Sequence, residues 1–346
     1  MDFSIASILT LDGLTNGAIY ALLGVGIVLV FTVTRVIFIP QGEFVAYGAL
    51  TLAIFQTGKT PGTVWLLLIL AGVAALMELV GTWRHRGSAA PAFVAALRTF
   101  AIPAAVCAVS AWAGPRNLPL AAQALLTICI VTAFGPLVYR VAYQSLAGAS
   151  SLVLLIVSVG VHFAMTGLGL LFFGAEGFRN PPFLDTRLSI GPLTLSGQAM
   201  IIFGASAALI VLLWLFFERS LYGKALRATA VNRLGARLMG ISTQTAGQLT
   251  FAMAGLIGAL SGLLIGPTTT VFYDSGFLIG LKGFVAGVIA GLASYPGALI
   301  GALAVGVIEA FGSFWASSFK EVIVFTIILP VLLWRSLRSG HSDEDH

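Results

Sequence analysis

The sequence predicts an all-α fold: a polytopic transmembrane helical bundle of about eleven spans, with the N-terminus outside and the C-terminus cytoplasmic. Three observations predict it. Hydrophobic residues make up 58% of the 346 positions and charged residues only 9%; mean hydropathy is +1.02; and the apolar residues fall into runs long enough to cross a bilayer. A soluble domain carries about 25% charged residues, which excludes that class. One transmembrane domain then covers residues 1–346, with membrane lipid as its surroundings. A net charge of +5 would suggest nucleic acid in a soluble chain. Here it follows from basic loops, and no nucleic-acid partner is expected.

A hydrocarbon core about 30 Å thick needs roughly 20 helical residues. The runs that qualify are approximately 12–34, 43–57, 63–82, 99–113, 118–138, 152–174, 198–218, 245–266, 277–293, 296–313 and 321–335. Each must be a helix, because backbone amides in lipid can be satisfied only within their own segment. The stretch MDFSIASILTLDG has acids where a signal peptide carries its basic region, so no cleavage is expected. Cys107 and Cys129 lie in apolar runs and read as packing residues, and the four histidines are scattered, so no metal site is expected.

Orientation follows from basic residues, which stay on the cytoplasmic side near span ends. Strict alternation puts Arg35, Arg84, Arg86, Arg98, Arg140, Arg219, Lys224, Arg227, Arg233, Arg237, Arg335 and Arg338 inside. Only Lys59, Arg116, Arg179, Arg187 and Lys320 fall outside, and Lys282 lies within a span. The outside loop Ala175 to Gly197 suits contact with an extracytoplasmic partner. A polar tail, 336–346, ends the chain.

The segment Arg219 to Ile241, within the loop 219–244, holds five basic residues and no acid. Gly223 to Val231 is rich in helix formers. Asn232 offers a cap for a second short helix, Arg233 to Met239, and Gly240 suits the left-handed position that ends it. Two uses remain open from the residues alone: a docking surface for a partner, or a loop that binds anionic lipid.

Glycines recur at spacing four: Gly258, Gly262 and Gly266, then Gly283, Gly287 and Gly291. That spacing lines one helix face and lets backbones approach closely. Polar residues inside spans are the default functional candidates. Asn16 and Tyr20 share a face, as do Ser158 and His162; Gln41, Gly42 and Glu43 follow Pro40 and begin a helix, where negative charge is favoured. Each group could line a pathway or hydrogen-bond between helices. Glu78, Lys282 and Glu309 are isolated in apolar context, with Lys282 and Glu309 a candidate pair.

These residues carry a resemblance. GKALRATAVNRLGARLMGI resembles the cytoplasmic coupling loop of permease subunits of the branched-chain amino acid type of ABC importers, in the first-permease form. NGAIYALLGVGIVLVF, GEFVAYGAL, LIVSVGVHF and GFLIGLKGFVAGVIAGLASYPGALIGAL are similar to further family segments in the family's order. The resemblance implies a permease forming the membrane pathway for amino acids in the bacterial inner membrane. Its implied partners are a second homologous permease, two cytoplasmic ATPase subunits that bind ATP and Mg, and an extracytoplasmic solute-binding protein. Gly223, Arg227, Ala230, Asn232, Arg233, Ala236, Leu238, Met239, Gly240 and Ile241 would form the ATPase-coupling site. No cofactor would be bound by this chain, which has no G-x-x-x-x-G-K-[ST] motif.

Departures from the family pattern matter too. Leu234 and Gly235 stand where many members have an acidic residue, Phe38 to Glu43 lacks the family's Asn and His, and residues 63–114 read as an added helix pair. Urea, amides or small carboxylates are therefore alternative solutes. Two other classes remain: an ion-coupled secondary transporter, drawing on Glu78, Lys282 and Glu309, and an intramembrane enzyme, drawing on Ser158 beside His162.

Overall fold

The computed structural model describes residues 3–86, 89–116, 118–190 and 193–338. The helices in chain order are α1 (Phe3–Thr34), α2 (Gln41–Gln56), α3 (Gly62–Arg86), α4 (Ala89–Ala113), α5 (Leu120–Val138) and α6 (Ser151–Phe173). A hairpin of β1 (Arg187–Ile190) and β2 (Leu193–Ser196) precedes α7 (Gly197–Arg219), α8 (Leu221–Val231) and α9 (Arg233–Leu238). The remainder is α10 (Thr243–Ile265), α11 (Ser275–Ile289), α12 (Tyr295–Trp315), α13 (Lys320–Thr326) and α14 (Ile328–Arg338). The chain is a polytopic all-α helical bundle, and an antiparallel hairpin, Arg187 opposite Ser196, lies in a loop for which the sequence predicted no strand.

Among the described residues eight helices are long and apolar enough to cross a membrane. They account for eight of the expected runs, and the short run 99–113 belongs to a helix that begins ten residues earlier, at Ala89. The other three runs fall on shorter elements. Run 43–57 is α2, 16 residues long; run 277–293 is α11, 15 residues long; and run 321–335 is divided between α13 and α14. Pro330 accounts for that division, because its ring clashes with the carbonyl four residues back, at Thr326, where α13 ends. Within the tail 336–346, residues 339–346 lie outside the described residues, as do Met1 and Asp2.

The described residues form two compact units, one made of those within 1–28, 183–210 and 281–338, the other of those within 29–182 and 211–280. In the second unit α2 is the centre. Only Ile54 and Gln56 of its residues escape full burial, and α5, α6 and α10 pack around it. α10 comes close because it lacks side chains on the facing side. A Cβ at Gly258 would stand 2.5 Å from the Cβ of Phe44, and one at Gly262 would strike the backbone of Val45 and Ala49. Gly266, at the end of α10, faces Asn180 instead. α3 and α4 form a hairpin whose outer faces expose Trp65, Leu76, Trp83, Phe93 and Ile102, the pattern expected of helices that meet lipid.

In the first unit, α12 crosses α1 at Gly306, whose added Cβ would collide with the backbone of Gly13 and Gly17. Gly283 on α11 faces Leu23 of α1, and Gly287 packs against Leu292. Gly291 differs from the expected packing role: it lies beyond α11 with φ of 70°, so backbone conformation accounts for the glycine there. Serine caps recur at helix starts, with Ser220, Ser242 and Ser294 accepting from the amides of Gly223, Thr245 and Gly297. Each such cap contributes about 1 kcal/mol.

Gly262→Ala forces α2 and α10 apart and is expected to cost about 1–3 kcal/mol, read as a lower thermal midpoint of the detergent-purified protein. Gly72→Ala on α3, where an added Cβ meets nothing within 4 Å, should be neutral or stabilising by up to about 1 kcal/mol. Equal midpoints for the two variants would remove the α2–α10 contact as the reason for Gly262.

Candidate functional site

Helix α2 begins after Pro40, which supplies no side-chain cap. Its first turn contains Glu43, fully buried, at the end of the helix dipole that favours negative charge. Two helices complete the surroundings. Gly276 and Gly280 of α11 abut the backbone of Gly42 and Glu43, and α6 turns an inward stripe of Leu154, Ser158, His162, Met165, Gly169 and Phe173 toward the interior. From that stripe His162 Nδ1 reaches Glu43 Oε1 at 2.7 Å. The hydroxyl of Thr166, one turn on, lies 3.5 Å from the same oxygen. The Phe277 ring covers His162 at a centroid distance of 4.7 Å.

The second oxygen of Glu43 is buried with no hydrogen-bond partner among the described residues, and so is Oε1 of Gln41, whose Nε2 donates to the Ala254 carbonyl at 3.0 Å. The two orphan acceptors lie two residues apart, a spacing that turns them to different sides of α2: Gln41 meets α10 and Glu43 meets α6, and each acceptor retains capacity for a hydrogen-bond donor. Ser158 is committed elsewhere: its hydroxyl accepts from Tyr143 at 3.0 Å and donates to the Leu154 carbonyl at 3.0 Å. Ser158 and His162 therefore share a face without forming a nucleophile–base pair.

The first unit has its own charged cluster. Lys282 Nζ lies 2.6 Å from Glu309 Oε1 and 3.2 Å from Glu321 Oε1. Tyr20 donates to Glu309 Oε2 at 2.7 Å, and the Lys282 ammonium stands 5.6 Å from the Tyr20 ring centroid. α1, α11, α12 and α13 are thus tied by one cation shared between two carboxylates. Asn16, one turn before Tyr20, is half-buried. Lys282 and Glu309 do meet, whereas Glu78 pairs instead with Arg140, at 3.7 Å. Sequence reasoning missed Thr166 and Glu321. The first was detectable four residues after His162, and the second as a carboxylate heading an apolar run.

At the loop, Asn232 caps α9 by accepting from the Gly235 amide at 2.8 Å. Gly240 has φ of 83°, and its amide bonds the Arg237 carbonyl while that of Ile241 bonds Ala236. Helix α8 starts earlier than expected, at Leu221, because Ser220 caps it. Gly223 and Ala236 are buried, and Gly223 abuts the backbone of Phe216 and Phe217 at the end of α7. Arg227 donates to the Phe217 carbonyl at 2.6 Å and to Glu218 at 3.1 Å, and Arg233 donates to the Ala147 carbonyl at 3.2 Å. The pair exposes apolar residues, with Val231, Leu234, Leu238 and Met239 87%, 68%, 80% and 83% exposed, beside the exposed Lys224 and Arg237. Ala230 and Ile241 are half-buried.

The fold and these sites define a multi-pass membrane protein with buried polar sites in both units and a helical pair that exposes apolar residues in its basic loop. The family model described as "Branched-chain amino acid transport system / permease component" matches residues 9–332, and the chain belongs to that family. It is similar to the high-affinity branched-chain amino acid transport system permease protein BraD of Pseudomonas aeruginosa, 32% identical over 216 residues, 60% of this chain and 70% of BraD. LivH of Escherichia coli K12, named as a permease protein of the same kind of system, is 30% identical over 223 residues, 62% of this chain and 72% of LivH. Among solved structures, PsaBC from Streptococcus pneumoniae in complex with Fab aligns over 95% of this chain and 94% of that one. At TM-score 0.38 and 12% identity, that likeness carries no weight here. The curated relatives are transport permeases, not enzymes.

The Glu43–His162 contact predicts coupling. His162→Ala leaves a buried carboxylate short of a partner and should lower the thermal midpoint more in the native background than in Glu43→Gln, with a coupling on the order of 1–3 kcal/mol. Additive shifts in the double-mutant cycle would show that the contact contributes nothing.

Proposed function

We propose that this chain is the permease subunit of an ATP-binding-cassette importer of the bacterial inner membrane. It provides the translocation pathway for amino acids, branched-chain or related small solutes, together with a second homologous permease. Two cytoplasmic ATPase subunits holding ATP and Mg drive it, and an extracytoplasmic solute-binding protein delivers the solute.

The observation that carries this reading is the exposure of apolar residues on α8 and α9. A loop that only bound anionic lipid headgroups would rely on its basic side chains. Val231, Leu234, Leu238 and Met239 instead form an exposed apolar patch of the kind that marks a protein interface. Membership of the permease family over residues 9–332 supports the same reading, as do the names of the relatives. Gly223 and Ala236 then serve the coupling site by letting its helices pack, while Leu238, Met239 and Leu234 make the contact. Leu234, in place of an acidic residue, adds to the apolar grip.

Mechanistically, nucleotide binding closes the ATPase pair and moves α8 and α9. Arg227 and Gly223 hold α8 against the end of α7, so the movement passes into a long helix. The bundle then changes the side to which its pathway opens. Glu43, with one oxygen free, and Gln41 are the pathway groups suited to a solute ammonium. The hairpin of β1 and β2 belongs to the loop that meets the binding protein, and α3 and α4 are the added pair of 63–114.

One observation favours a second reading, an ion-coupled secondary transporter: the Lys282, Glu309 and Glu321 cluster has one more acid than base. Reconstitution with the co-expressed ATPases separates the two. Leu238→Glu and Met239→Glu alter exposed side chains and should leave insertion intact while lowering solute-stimulated ATP hydrolysis roughly tenfold or more, the scale of a lost interface anchor. Unchanged stimulation in both variants removes the docking role. Transport that persists without ATPases and collapses with a proton or sodium gradient selects the second reading.

A further inference from the structure

A groove of about 310 Å³ opens where α4, α5 and the early turns of α10 meet. One end is polar, with Arg98, Thr99, Arg140 and Gln248, and the rest is walled by apolar residues including Ile102 and Leu137. The polar end is unbalanced in charge. Arg140 donates to Thr99 and stands 3.7 Å from Glu78. Arg98 is exposed and has no ion-pair partner among the described residues. Two guanidinium groups therefore line the groove, and the partly exposed Glu78 carboxylate pairs with Arg140.

The depth of the groove narrows the choice of occupant. Arg98 stands six residues inside the start of the apolar span Ala92–Ala113 and Arg140 six residues inside the end of the span Leu120–Leu146, about 9 Å along each helix. Long basic side chains at that depth reach the headgroup region. The outer wall belongs to α4, a helix exposed on several sides, with Phe93, Leu97, Ile102 and Trp112 more than half exposed. A small soluble anion would satisfy the arginines and leave that wall unmatched. A molecule with an anionic head and a hydrocarbon tail matches both parts.

We infer that this groove is a binding site for an anionic phospholipid, its phosphate held by Arg98 and Arg140 and an acyl chain laid against Ile102 and Leu137. The lipid ties α4, otherwise packed on α3, to the helices around the buried centre of its unit. Basic pockets between membrane helices are known to hold such headgroups.

The test uses the full-length protein, delipidated in neutral detergent, with bound lipid counted by native mass spectrometry during titration with phosphatidylglycerol or with phosphatidylcholine of the same chains. Phosphatidylglycerol should bind in preference, Arg98→Gln should weaken it about fivefold, the order of one basic residue against an anionic headgroup, and Arg98→Lys should retain most of the affinity. Arg98 makes no ion pair among the described residues, so the variant tests binding without disturbing the fold; unchanged thermal midpoints verify this. Excess inorganic phosphate should leave the lipid bound. Equal binding of the two lipids, undiminished phosphatidylglycerol binding by Arg98→Gln, or full displacement by inorganic phosphate would each overturn the inference.

Discussion

Helix α2 reaches the interior of its unit because α10 offers it a surface without side chains at Gly258 and Gly262, and much else depends on that approach. In hydrocarbon no water is available to a polar group, so a carboxylate such as Glu43 can exist there only when protein surrounds it. Close packing on α10, with Gly276 and Gly280 of α11 against Gly42 and Glu43, closes that surround. Dispersion falls steeply with separation, and even a methyl group between α2 and α10 would weaken contacts along both helices. The glycines thus maintain the packing and, through it, the polar site.

Each unit deals with its buried charge differently. Glu43 faces a histidine and a threonine on one oxygen, an arrangement that keeps part of its hydrogen-bonding capacity in reserve. Lys282 is shared by Glu309 and Glu321, with Tyr20 completing Glu309. Desolvating such groups costs several kcal/mol per ion, and their mutual attraction offsets this only when the geometry is good. What these clusters add is direction. A hydrogen-bonded carboxylate fixes the rotation and height of the helices it joins far more narrowly than smooth glycine faces can.

Much of the helical layout could be read from hydropathy, because lipid imposes the same demand on each outer helix. Where protein replaces lipid as the surroundings, the signal weakened. α2 is short because nothing requires it to match the bilayer, and the division at α13 and α14 turned on the single residue Pro330. Serine caps and the left-handed glycine at Gly240 follow local chemistry, which explains why the two loop helices were legible almost to the residue. The pairing of Lys282 with Glu309 was only a candidate, and Glu321 was missed, since which helices face one another is not encoded in spacing along any one of them. Gly223 and Ala236, which the family resemblance assigns to the coupling site, are buried within the chain, Gly223 against the end of α7.

The length of α2 has a further consequence. At 16 residues it spans about 24 Å, less than a typical hydrocarbon thickness of about 30 Å, yet its buried flanks meet protein and not acyl chains. When bilayer thickness changes, the lipid-exposed helices α3, α4 and α6 must tilt or draw the membrane to match them. α2 is sheltered from that mismatch. The helix that carries Gln41 and Glu43 is therefore positioned by its neighbours alone, and the polar site keeps its depth in membranes of differing thickness.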